Sequence, residues 1–106
     1  MFGIYQNSYL ELQRIFQKCE KIEKVIIYGS RVKGNFKEGS DIDLTLIGNL
    51  DYNNLLQLKT EFDDSTIPYK IDISIFSNLK SKSLIDHITR LGQNFYEKTE
   101  IIQPDK

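Results

Sequence analysis

The chain has 106 residues, of which 40% are hydrophobic and 27% charged, with a formal net charge of -1. Those totals fit one compact domain over residues 1–106 with a single core, and leave no length for a second, substrate-holding domain. The near-neutral charge lacks the basic footprint of a dedicated nucleic-acid binder, so no direct nucleic-acid binding is expected. Cys19 is the only cysteine, which excludes an intrachain disulfide; its place in an apolar helical pattern reads as a buried thiol. The N-terminus lacks a charged segment followed by an apolar one, and no stretch reaches membrane-spanning length. A cytoplasmic protein without membrane contact is expected.

In chain order, Ser8-Tyr9-Leu10-Glu11 fits a capping box, in which hydroxyl and carboxylate each satisfy an orphan helix amide. Leu12, Ile15, Phe16 and Cys19 then recur at helical spacing and predict an amphipathic helix to about Glu20. Lys24 to Tyr28 is a short apolar run rich in β-branched residues, the pattern of a central strand buried on both faces. Gly29 to Gly39 is punctuated by glycine and is expected to hold a short helical turn after Ser30. From Asp41 the chain alternates, with Ile42, Leu44 and Leu46 on one side of a strand and Asp41, Asp43 and Thr45 on the other.

Asn49 or Asp51 can cap a second helix whose buried stripe is Leu55, Leu58 and Phe62. After Pro68, Ile71, Ile73 and Ile75 alternate with Lys70, Asp72 and Ser74 in a third strand. Leu84, Ile85, Ile88 and Leu91 form the stripe of a last helix that ends near Gly92. Phe95 and Tyr96 are expected to pack back on the domain, and residues 103–106 to fray. The order α-β-α-β-α predicts an α/β fold, a small mixed β-sheet packed with helices.

Chemistry enters with the carboxylates. Two aspartates at alternate strand positions project from one face, about 6–7 Å apart at their roots. Asp41 and Asp43 meet that condition. Ionised side by side they repel, unless a cation sits between them. Their all-oxygen character suits Mg²⁺, which takes its remaining ligands from water and phosphate. If the strand of Asp72 lies beside theirs, a third carboxylate completes a site for two ions, the arrangement that supports in-line nucleotidyl transfer. Gly29 lets the backbone approach a ligand closely, and Ser30 opens a turn whose amides and hydroxyl can meet phosphate. Arg31 and Lys33 stand beside that turn, one offering a fork and the other a point charge to triphosphate. Each piece has a plainer alternative: Gly39-Ser40-Asp41 also fits a turn-capping pair, and Asp72 a solvated strand residue.

Order and spacing join the pieces. Gly29-Ser30, ten residues, then Ser40-Asp41-Ile42-Asp43-Leu44 resembles the signature of the DNA polymerase β-like nucleotidyltransferase superfamily. The short chain and Gly34 resemble its minimal nucleotidyltransferase (MNT) branch, and the likeness covers nearly the whole sequence. The resemblance implies a polymerase β-like palm fold. It further implies that Asp41 and Asp43 bind two Mg²⁺ ions, that Asp72 binds the catalytic one and helps activate the attacking hydroxyl, and that Gly29 and Ser30 hold the triphosphate of ATP. It also implies a partner. MNT proteins are often antitoxins that transfer AMP from ATP to a tyrosine of a HEPN-domain ribonuclease toxin. A chain this short has no room to enclose nucleotide and acceptor together, so a partner surface is expected to bring the hydroxyl. Rival expectations are an antitoxin acting by contact alone and a transferase for a small molecule.

His87, the only histidine, lies on the last helix, remote in sequence from the carboxylates, and is expected to be solvated or partly packed. Tyr28 ends a buried strand and reads as core. Tyr5, Tyr9, Phe95 and Tyr96 fit either a partner patch or a closed core.

Overall fold

The computed structural model describes residues 2–99; the tail expected to fray lies outside them. The elements run α1 (Gln6–Lys18), β1 (Ile22–Tyr28), α2 (Ser30–Lys33), β2 (Ile42–Gly48), α3 (Tyr52–Asp63), β3 (Ile71–Ile75), a 3₁₀ turn (Phe76–Asn78), α4 (Lys82–Leu91) and β4 (Gln93–Glu97). The strands form one sheet in the order β3-β2-β1-β4. β1 pairs antiparallel with β2 and β4, whereas β2 and β3 are parallel, so the sheet is mixed as expected. Parallel neighbours need a crossover connection, and α3 supplies it.

α1 corrects the capping-box expectation. The helix starts at Gln6, with Tyr5 at the N-cap and no side-chain cap bond, and Ser8 is buried inside it. Ser8, Leu12, Ile15 and Phe16 share one face, so burial of that stripe carries the helix past the local capping signal. Cys19, at the C-cap, is half-buried rather than buried. For α3 the cap is Asp51: its carboxylate accepts the Asn54 N–H at 3.0 Å, and the Asn54 side chain accepts the Asp51 N–H at 2.9 Å. Its stripe holds, with Leu58 buried and Leu55 and Phe62 packed at the core's margin.

One face of the sheet carries the core. Val25, Ile27, Ile42, Leu44, Leu46 and Ile73 pack there with Leu12, Ile15 and Phe16 of α1 and Leu58 of α3. α4 lies on the opposite face, over β1. Ile88 is buried and Leu84 and Ile85 are half-buried, but Leu91, expected in the stripe, is 48% exposed. Ile88 is the only residue of α4 that is buried, and Leu91 is left open to solvent.

β4 is a strand that the predicted order omits. A register shift opposite Val25–Ile26 sends Phe95 and Tyr96 both inward, against Phe16. These rings close the core as one of the two expectations held, while Tyr5 stays 64% exposed.

Candidate active site

The sheet's register brings the carboxylates together. Tyr28 faces Asp43 across the β1–β2 ladder, and Asp43 faces Asp72 across the β2–β3 ladder. Neighbouring strands lie about 4.8 Å apart, so the three side chains form one row on the α4 face of the sheet. Asp72, whose place depended on its strand adjoining the first pair, therefore stands beside Asp43. Asp41 precedes β2 by one residue and is exposed, as is Asp72, whereas Asp43 is half-buried. The turn before Asp41 is closed by Ser40, whose hydroxyl accepts the Lys37 N–H at 2.9 Å.

The row is electrostatically loaded. Burial pushes the Asp43 carboxyl above the usual range; the negative charges of Asp72 and then Asp41 push it further, and Arg31 opposes them weakly. Burial likewise raises the Tyr28 phenol, followed by Asp43 and Asp72. Beneath the row, the Ser74 hydroxyl donates to Thr45 Oγ1 at 3.0 Å, and the Thr45 hydroxyl donates to the Ser74 carbonyl at 3.4 Å. Thr45, assigned to the polar face, is 0% exposed, and this pairing satisfies it.

Gly29 has φ +84°, and a Cβ built on it would stand 2.5 Å from Asp43 Oδ2. Only glycine lets the turn sit this close to the carboxylate at this positive φ, with ψ -151°. Ser30 opens α2 directly after it, and Lys33 is exposed at the end of the same turn.

Arg31 departs from its expected place at a triphosphate. It is 4% exposed. Its Nε and Nη2 donate to the Ser40 carbonyl at 3.3 and 2.7 Å, and Nη1 to the carbonyls of Phe2 and Gly3 at 3.0 and 3.2 Å. The guanidinium lies over the rings of Phe36 and Tyr69, 5.0 and 4.9 Å from their centroids. Its donors are thus engaged with backbone, tying α2 to the residue before Asp41. A rigid fork finds three inward-turned carbonyls here, and a spacing argument could not reveal them.

His87 was expected to be solvated or partly packed, with no place at the site. It is partly packed as expected, yet it touches the Gly29–Ser30 turn: the Gly29 N–H donates to its Nε2 at 3.2 Å.

The donor set fits a hard cation. Asp41, Asp43 and Asp72 supply carboxylate oxygens only, and the burial and then the acidic neighbours that raise Asp43 both disfavour its ionised form, which a cation would stabilise. Among the described residues no three carboxylates, imidazoles or thiols stand close enough together to hold a metal ion by themselves, Asp41, Asp43 and Asp72 included, so water and phosphate oxygens would have to supply part of the shell. A separate cavity of about 500 Å³, lined by Lys18, Cys19, Asn54 and Glu61 among others, shares none of these residues.

Known proteins resemble this arrangement. The chain is 36% identical over 64 residues to a Haemophilus influenzae protein named "Probable protein adenylyltransferase MntA", covering 58% of this chain and 56% of that one. It is 37% identical over 41 residues to a Methanocaldococcus jannaschii protein, 39% of this chain and 41% of that one. The chain thus spans about half the length of the curated relatives it matches.

Its fold matches a chain of a toxin–antitoxin crystal structure with AMP-PNP (TM-score 0.66, 18% identity, 90% of this chain and 75% of that one). It also matches a chain from a complex of tri-AMPylated Shewanella oneidensis HEPN toxin with MNT antitoxin (TM-score 0.63, 14% identity, 88% and 72%). Among the described residues no helix is long and apolar enough to cross a membrane. The family described as "Polymerase beta, Nucleotidyltransferase" matches residues 11–101, and the chain belongs to it.

Proposed function

We propose that the chain is a cytoplasmic, Mg²⁺-dependent protein adenylyltransferase that acts as the antitoxin of a HEPN-domain toxin. The observation that carries the reading is the juxtaposition of Asp43 and Asp72 in register, with Gly29 packed against the Asp43 carboxylate. The likeness to a protein named an adenylyltransferase and to chains of toxin–antitoxin complexes supports it. Asp41, Asp43 and Asp72 would hold Mg²⁺, which offsets phosphate charge and makes an attacking hydroxyl easier to deprotonate. Gly29 and Ser30 would seat the triphosphate of ATP, with Lys33 adding charge at the open side. The partner's tyrosine oxygen would then bond to the α-phosphorus as the bond to the bridging oxygen breaks. Pyrophosphate leaves, and the hydroxyl proton passes through the carboxylate row to solvent.

The test is intact mass of the neighbouring HEPN protein after incubation with this chain, ATP and Mg²⁺. One or more added AMP units, absent with Asp43→Asn, are expected; unchanged mass with the wild-type chain sinks the reading. A second reading, neutralisation by contact alone, draws on the observation that among the described residues no three acidic, imidazole or thiol side chains are gathered closely enough to hold a metal ion. It predicts that Asp43→Asn still silences the toxin.

A further inference from the structure

The carboxylate face holds one group that the proposed chemistry leaves unused. His87 Nε2 accepts the Gly29 N–H at 3.2 Å. A backbone N–H can only donate, so Nε2 carries the lone pair and Nδ1 the ring proton. The imidazole is held in place. Its edge meets the Tyr28 ring, with centroids 6.1 Å apart and planes at 76°. Ile88, the next residue, is buried, and α4 sits so close to β1 at its far end that a Cβ on Gly92 would lie 2.6 Å from Ile26 Cγ2. A seated helix therefore delivers the ring to the turn.

Gly29 needs such a partner. A glycine at φ +84° has no side chain to restrict it and a wide conformational range to lose. Both Asp43 and His87 stand against it, one where a Cβ would lie and the other at its N–H.

We propose that His87 is a positioning residue: by accepting the Gly29 N–H it keeps the Gly29–Ser30 turn seated against Asp43, ready for a nucleotide triphosphate. The inference rests on the nucleotidyl-transfer reading of this site. His87 holds loop backbone and not the reacting atoms, so its influence belongs in the affinity for ATP more than in the chemical step.

Two measurements on the full chain test it: hydrogen exchange of the Gly29 amide without nucleotide, and the KM for ATP in transfer to the HEPN partner. With His87→Ala the Gly29 amide should lose protection. KM should rise on the order of three- to tenfold, the factor expected from losing one net hydrogen bond, with kcat changed much less. His87→Gln keeps an oxygen able to accept the same N–H and should restore both. Gly29 exchange and ATP KM that ignore residue 87 would overturn the inference. So would equal losses in the Ala and Gln variants, which would mark His87 as packing only. Gly29 protection that follows the residue at 87 across the variants, together with a wild-type chain that transfers no AMP, would instead overturn the functional reading and leave the contact standing.

Discussion

At Asp43 the interests of folding and of function oppose each other. Its carboxyl is held above the ordinary range by burial and by its acidic neighbours, so the ionised form is disfavoured in the free protein. Asp43→Asn keeps the shape and removes the charge. It should cut AMP transfer at least about a hundredfold, the scale of losing one preorganised electrostatic contact, while leaving the unfolding free energy equal or higher. A urea melt beside the transfer assay checks both halves. Gly29→Ala makes the complementary case. Its methyl would meet the end of the Asp43 side chain, and that chain can swing aside, but only by leaving its place in the row. With φ +84° and ψ -151° the backbone lies in a region essentially reserved for glycine, and a side chain there should cost about 1–3 kcal/mol. Transfer should fall further than that loss of stability explains, and activity that merely tracks the melt would contradict this account.

Between elements, Arg31 links three segments: α2, Ser40 just ahead of β2, and the Phe2–Gly3 backbone. Arg31→Lys retains a charge but loses the fork and the stacking on Phe36 and Tyr69. We expect a loss of about 1.5–3 kcal/mol, the range for hydrogen bonds to a charged group, read as a lower urea midpoint. A variant as stable as wild type would mean that the clamp is ornamental. What the sequence discloses about elements follows the same division between local and distant. The alternation of β2 and β3 was legible and put Asp43 and Asp72 on the faces opposite the apolar residues, but it could not show that the two strands adjoin or that Thr45 would be buried. β4 was not, because a register shift turns consecutive Phe95 and Tyr96 inward and erases the period that marks a strand. The Ser8–Glu11 signal misled for a different reason: tertiary burial of the α1 stripe outweighs a cap. Neither the Arg31 cage nor the His87–Gly29 bond leaves a local signature. The latter joins residues 58 positions apart, and only the packing of α4 on β1 creates it.

Across the whole molecule, the two faces of the sheet divide the labour. The side of Leu44 holds the fold together, and the side of Asp43 carries charge that the fold tolerates. Leu44, 0% exposed, should cost about 2–5 kcal/mol as Leu44→Ala. The other face should show itself through pH. The folded-state value of Asp43 lies above that of the unfolded chain, so between the two the native state binds the extra proton. The contribution of this group to stability therefore falls as pH rises through that window, and is unfavourable at neutral pH. Comparing wild type with Asp43→Asn removes the titration of every other group to first order. Without metal, wild type should be the less stable at neutral pH, and the gap should narrow as pH falls into the carboxylate range. Mg²⁺ reverses the argument, because an ion that binds the ionised row stabilises only the native state, by an amount that grows with its concentration over Kd. Adding Mg²⁺ at neutral pH should thus raise the melting midpoint of wild type and leave Asp43→Asn nearly unmoved. Parallel pH curves for the two chains would contradict the raised Asp43 carboxyl, and equal shifts with Mg²⁺ would separate this carboxylate row from metal binding.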